Sequence, residues 1–384
     1  MNIEFELLKC NVWKRITAYC FLLFVIFACS ERMNSEQVLD LKISDRFGLD
    51  LTNSKLTGSL DYPISSIQKS TNKFLVFNSH ENRIDTIKFF SEKLSIIEGR
   101  EIQYEGPKGI APFNSFVSLG QKIVFVNGQT IFVQDSIEVM RINSNSLQKE
   151  DQSSFSNFIN GPYEIITSID VKSNRIYVFS DDFNNNQIKL LEVSLSDSQI
   201  DILRFSPLEE IKEHTIRLNQ GGFQIENPYH PRILSLNNKL VISYPFTNKF
   251  QIYDLKSHDT KIMSPTSDLF KLEKDLPNHQ YLDLDFIKFK EISDNWQDDV
   301  KFYPIIKLDE NRYIRIVRSS IEGNRHNKYM EIFNGDFKKI QEINLSQINE
   351  DLGEIFFPLG KDLLVKAKNQ PKEDSLYFYN ISLK

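Results

Sequence analysis

Leu236-Asn237-Asn238-Lys239-Leu240-Val241-Ile242-Ser243-Tyr244, followed five residues later by Phe250-Gln251-Ile252-Tyr253-Asp254, is the stretch that decides the fold. A polar turn introduces a short apolar run, a polar loop follows, and a second run is again rich in aromatic and branched residues. Runs of five or six such residues have the length and composition of strands, because β-branched and aromatic side chains suit a pleated, half-buried surface. Asn tolerates the positive φ that tight hairpins demand, so the turn residues predict antiparallel pairing.

Working outward, the same pattern recurs at 73–78 with 83–90, 122–127 with 130–134, 175–180 with 188–193, 312–318 with 328–333, and 362–367 with 375–381. The preceding turns are alike: Ser70-Thr71-Asn72, Leu119-Gly120-Gln121, Lys172-Ser173-Asn174, Asp309-Glu310-Asn311 and Leu359-Gly360-Lys361. Starting positions 73, 122, 175, 239, 312 and 362 are separated by 49, 53, 64, 73 and 50 residues. Each of the first five units has sequence for an outer strand, such as 95–104 or 337–343. No stretch shows a sustained helical period, and 267–274 offers one or two turns at most. Six successive units of about four strands predict an all-β fold, a six-bladed β-propeller in preference to a β-sandwich. Thirty Phe, 14 Tyr and 2 Trp then find employment between the blades.

The sixth unit has no outer strand of its own after 375–381. Residues 38–47 and 56–62 are strand-like and precede the first unit. An unpaired outer edge is an aggregation template, so one of these segments, 38–47 in preference, is expected to pair with 375–381 and close the ring.

The first 28 residues read as an address. Lys9, Lys14 and Arg15 precede an apolar run over 16–27 that is shorter than the roughly 20 residues of a membrane span. Ile26-Phe27-Ala28-Cys29 resembles a lipoprotein processing site, with Cys29 as the lipidated residue. The expected organisation is a signal peptide over 1–28, a tether over 29–37 and one propeller domain over 38–384. All three cysteines, Cys10, Cys20 and Cys29, lie in or at the edge of the leader, which excludes disulfides and Cys-ligated metal in the body. The body is expected in the cell envelope, lipid-anchored to the outer membrane and facing either the periplasm or the exterior. A net charge of −6, without a basic run, excludes the footprint that nucleic acid requires.

The leader, the length, Glu105-Gly106-Pro107 with Gly109, and Asn160-Gly161-Pro162 before a strand resemble the bacterial lipoprotein family called domain of unknown function 4221. The resemblance implies a six-bladed propeller and export. It implies no activity and no catalytic residues.

The six histidines are dispersed, and the sequence contains no metalloprotease, nucleophile-elbow or phosphate-loop motif. Asp182, Asn184 and Asn186 imitate the start of a calcium loop, but Gln187 and Val193 occupy the positions where Gly and a chelating Glu are needed. Neither a metal nor a cofactor is expected. Asp283 and Asp285 would share one face of a strand beside alternating Leu282, Leu284 and Phe286, the pattern of an amphipathic strand. The long spacings point to loops with room for a site. Segments 105–113, 181–187, 220–232 and 294–303 are expected at one end of the propeller, with Arg217, Tyr229, His230, Arg232 and Trp296 as candidate ligand-binding residues. The function read from these features is non-catalytic binding or scaffolding for a protein or glycan. The alternative is a glycan-active hydrolase or lyase using loop carboxylates.

Overall fold

Leu240, Val241, Ile242 and Ser243 are all buried, so the apolar run of the deciding stretch is covered on both faces. The computed structural model describes residues 39–50, 65–68, 73–78, 81–90, 93–113, 115–119, 122–135, 138–144, 157–158, 168–170, 174–182, 187–220, 223–227, 230–277, 281–282, 286–323, 325–372 and 375–383. The leader with Cys29, segment 56–62, Gly161, Pro162, Tyr229, Asp283 and Asp285 lie outside the described residues.

Lys239–Ser243 pairs antiparallel with Arg232–Leu236 on one side and Phe250–Asp254 on the other, and Thr260–Met263 completes a four-stranded sheet. The two-residue turn at Asn237-Asn238 closes without positive φ, contrary to the reading of its asparagines. Positive φ is used at the equivalent turns before the third and sixth units, at Asn174 (54°) and Gly360 (64°).

The other units repeat this meander. Ser65–Gln68, Lys73–Asn78, Arg83–Phe90 and Lys93–Glu101 form the first, and Ser115–Leu119, Lys122–Val126, Thr130–Gln134 and Val139–Asn143 the second. In the third, Asn157–Phe158 and Ser168–Asp170 both pair with Arg175–Asp182, followed by Gln187–Ser194 and Ile200–Ile202. In the fifth, Lys301–Phe302 and Ile306–Lys307 both pair with Tyr313–Glu322, followed by Arg325–Phe333 and Lys339–Asn344. Leu352–Leu359, Asp362–Ala367 and Ser375–Leu383 form the sixth, which Phe47–Asp50 joins to the first in one nine-stranded sheet. The architecture is all-β.

Aromatic and branched side chains fill the space between consecutive sheets. Leu75 and Ile84 of the first unit pack with Phe116 and Phe125 of the second, and Val124 and Val133 of the second with Ile176 and Val193 of the third. Phe179 and Leu190 of the third meet Leu240 and Ile242 of the fourth, and Val241 and Phe250 of the fourth meet Tyr313 and Phe333 of the fifth. The ring of Tyr303, which follows the first strand of the fifth unit, meets Phe356 of the sixth edge-on at 5.3 Å. Phe357, Leu364 and Phe378 of the sixth pack against Phe74, Val76 and Ile87 of the first.

The N-terminal segment pairs with the last strand. Leu41–Ile43 lies antiparallel to it, with Leu41 opposite Leu383, and Phe47–Asp50 continues the pairing with Phe47 opposite Phe378. Leu49 also sits opposite Leu94 in a parallel bridge to the outer strand of the first unit, which the sequence did not foretell. Phe47 and Leu49 are buried in the same cluster as Phe74 and Phe378.

Two expectations about local structure fail. Residues 267–274 contain no helix, whereas Phe286–Gln297 forms one of 12 residues. Phe289, Ser293 and Trp296 recur at helical spacing and are its buried residues. Phe286 therefore begins a helix and does not continue an alternating strand. An additional small sheet pairs Ile216–Gln220 with Phe223–Asn227 and, in parallel, with Tyr281–Leu282. The two longest spacings of the repeat thus hold secondary structure of their own.

Candidate functional site

The leading strands of several units touch: Ser65–Gln68 meets Ser115–Leu119, which meets Ser168–Asp170, which meets Arg232–Leu236, and Leu352–Leu359 meets Ser65–Gln68. Where the fourth, fifth and sixth units approach one another, charged side chains converge. Pairing sets the first part of the arrangement. Lys301 stands opposite Arg318, and Arg318 stands opposite Lys328, so three cations lie in register across three adjacent strands of the fifth unit. Neighbouring Phe302 is buried, and so is Tyr303 just beyond the strand.

Arg318 is only 12% exposed, and Lys328 is buried with its Nζ donating to the Leu352 carbonyl at 2.8 Å. Arg318 also donates to the Gln297 carbonyl, which ties the row to the end of the helix. The Lys301 ammonium lies 4.8 Å from the centre of the Tyr303 ring. Glu354, from the sixth unit, faces the row. Its Oε1 is 3.6 Å from Arg318 Nη1, and its Oε2 accepts from the Tyr303 hydroxyl at 2.5 Å.

Burial pushes Lys301 down to about 8, assisted by the charges of Arg232 and Arg318 and opposed by Glu354. Lys328 is lowered mainly by burial as well. Burial alone would raise the Glu354 carboxyl, but Arg318, the Tyr303 hydroxyl, Lys301 and Lys328 outweigh it and hold the group below its ordinary value. Tyr303 is raised, first by burial and then by the adjacent carboxylate, so its hydroxyl remains a donor. The arrangement can hold negative charge beside a phenolic hydrogen-bond donor.

The residues expected to bind ligand fall in different places. Arg232 opens the first strand of the fourth unit, donates to the His230 carbonyl at 2.6 Å, and is close enough to Lys301 to lower its pKa. Burial lowers Arg232 to about 9 and His230 to about 4. Arg217 lies in the small sheet opposite Glu226 and, on its other side, Tyr281. Trp296, named as a candidate for ligand contact, is buried. Its Nε1 donates to the Asp275 carbonyl at 2.9 Å, and Lys274 Nζ sits 4.5 Å from the ring centre. Of the four loop segments, 220–232 and 294–303 are linked by the effect of the Arg232 charge on Lys301 alone, and residues 183–186, 221–222 and 228–229 lie outside the described residues. Segment 105–113 is held instead by Arg141, whose Nη2 donates to the carbonyls of Pro107 and Gly109. Sequence reading missed Lys301, Tyr303, Arg318, Lys328 and Glu354, although the first two fall inside 294–303.

Behind Trp296, His214 is fully buried, stacked on Phe246 at 4.4 Å and tilted to Trp296 at 5.9 Å. Neither ring nitrogen finds a hydrogen-bond partner among the described residues, and the nearest carboxylate, Glu273, is 3.7 Å from Nε2. Burial, with the charge of Lys274, pushes His214 down to about 4. Between pH 6.5 and 4 the unfolded chain therefore binds a proton that the native chain refuses. Stability present above pH 6.5 is lost as the pH falls through this window, on the order of 2 kcal/mol for this group. His214→Phe is expected to flatten that acid limb and leave the protein at least as stable at pH 7, because two orphaned polar atoms disappear without loss of the stack. Urea unfolding of both proteins at pH 7, 5.5 and 4.5 checks this. An unchanged pH slope in the variant would refute it.

Comparison with known proteins adds the following. No curated protein matches the chain. A solved structure of a member of the DUF4221 family from Bacteroides vulgatus ATCC 8482 is similar, with 15% identity and a TM-score of 0.60, covering 90% of this chain and 98% of that one. A protein of Bacteroides fragilis NCTC 9343, described only as a candidate exported protein, has 11% identity and a TM-score of 0.49, with 92% and 97% covered. At these identities the likeness speaks for the fold alone. The family model of Domain of unknown function (DUF4221) matches residues 39–344, and the chain belongs to that family.

Proposed function

We propose that this chain is a lipid-anchored extracytoplasmic binding protein, whose body is a six-bladed β-propeller closed by pairing of its N-terminal segment with the last strand. Six successive meanders, packed face to face with the sixth against the first, support the blade count. The basic flank, short apolar run and Cys29 support the anchor.

The observation that carries the binding reading is the cation row Lys301, Arg318 and Lys328, beside the Tyr303–Glu354 pair, at the approach of three units. Ligands commonly enter where structural units meet and a few polar groups converge. The ligand is a glycan or the surface of another envelope protein, held without turnover. Binding to a panel of neutral and acidic glycans, with product analysis by mass spectrometry on the same samples, tests this. Conversion of any glycan would replace binding by catalysis.

Cys29→Ser is expected to move most of the protein from the membrane fraction to the soluble fraction, or to stall processing of the leader. Fractionation and the mass of the mature N-terminus measure it. An unaltered distribution with an unaltered N-terminus would mean that the address has been misread.

A further inference from the structure

Like charges set directly opposite on neighbouring strands repel, and burial removes the water that would screen them. The row Lys301, Arg318 and Lys328 places three such charges in consecutive register. The charges of Arg232 in the fourth unit and of Lys274 before the helix act on the same row, although Arg232 donates to the His230 carbonyl and Lys274 to that of Trp296. This concentration does not reflect a basic protein, since the chain as a whole carries a net charge of −6. Glu354 demonstrates what the place accepts: a carboxylate that lies 3.6 Å from an Arg318 guanidinium nitrogen and accepts from the Tyr303 hydroxyl. A guanidinium and a phenol beside it make a donor set that suits an oxygen anion.

We propose that the Lys301–Arg318–Lys328 row, flanked by Arg232, binds an oxyanion of the ligand, a carboxylate, sulfate or phosphate group seated beside Glu354. The inference rests on the binding reading given above and assigns the charged part of the ligand. A bound oxyanion converts repulsion between neighbouring strands into shared attraction. Affinity and stability therefore respond in opposite directions when one cation of the row is removed.

The test uses the full chain in detergent, with sodium glucuronate, sulfate and phosphate as probes and sodium chloride at matched ionic strength as the control for screening. At least one oxyanion is expected to raise the melting temperature above the chloride curve with a saturable dependence on concentration. Lys301→Gln should weaken that oxyanion by roughly tenfold, in line with loss of one charge-assisted contact, while melting no lower than the parent without ligand. Lys301→Arg should restore the affinity. The ranking of the three probes identifies which oxyanion is the natural fit. If chloride reproduces every oxyanion curve, or Lys301→Gln binds as the parent does, the row is not a binding site. If neutral glycans bind and no oxyanion does, this inference fails and the binding reading stands. If a uronate is bound through Lys301 and is also converted, the inference stands and the non-catalytic reading falls.

Discussion

Replacing Phe47 and Leu49 together by alanine is expected to lower the unfolding free energy by about 5 kcal/mol or more. Both side chains are buried, and neither belongs to the strand order of a single unit. Phe47 lies 5.4 Å from Phe89 of the first unit and sits opposite Phe378 of the sixth. Leu49 is opposite Leu376 on one side and Leu94 on the other. Truncating them leaves cavities at the seam where Phe47–Asp50 joins the first and sixth units into one nine-stranded sheet, and the strands paired on either side restrict collapse into the gap. Because the two residues share partners, their effects will not add simply. The expected loss is comparable with the whole stability of a marginal domain. Guanidinium unfolding of the double variant measures it, and a loss under about 1 kcal/mol would show that the seam contributes little.

Glu331→Ala is expected to cost about 3–5 kcal/mol. Arg315 and Glu331 are both fully buried in the middle of the fifth unit, opposite each other on paired strands. Arg315 Nε donates to Glu331 Oε2 at 2.7 Å, its Nη1 donates to the Asn248 carbonyl at 3.0 Å, and its guanidinium lies 5.3 to 5.7 Å from the rings of Phe302, Phe333 and Phe250. Burial lowers the Arg315 pKa and the Glu331 charge works against that, so removing the carboxylate strands a cation among aromatic rings. The double change Arg315→Met with Glu331→Leu should cost less than Glu331→Ala alone, because no buried charge is then left unpaired. Asn248 would still lose its donors, so some loss remains. Costs that add across the cycle would mean that the two residues do not act as a unit.

Strand positions were legible because aromatic and branched runs of five or six residues have only one economical use. The outer strands near 95–104 and 337–343 and the employment of 38–47 followed from asking which edges lacked a partner. The helix Phe286–Gln297 was not legible in the same way. Leu282, Leu284 and Phe286 alternate at period two in the sequence up to the first residue of the helix, and the buried helical set has just Phe289, Ser293 and Trp296. Trp296 consequently looked like a loop residue among acids.

The cation row was hidden for another reason. The hairpin that carries Arg318 and Lys328 could be read from the chain, although a bulge between Arg318 and Ile321 sets the register that places the two opposite each other. Their burial could not. It depends on Lys301 beside them and on Glu354 arriving from the next unit, and strand ends bearing charges otherwise read as solvated.

The partnership of Phe47 with Phe378 sets a schedule on biosynthesis. The two positions are 378 − 47 = 331 residues apart, so at ribosomal speeds of about 5–20 residues per second the first waits roughly 20–60 s for the second. During that interval the apolar side chains of 47–50 and the outer edge of the first unit have no cover. An early polypeptide in this condition keeps Phe47 and Leu49 exposed, and the event that covers them joins segments at nearly the greatest separation the sequence permits, which makes that event slow.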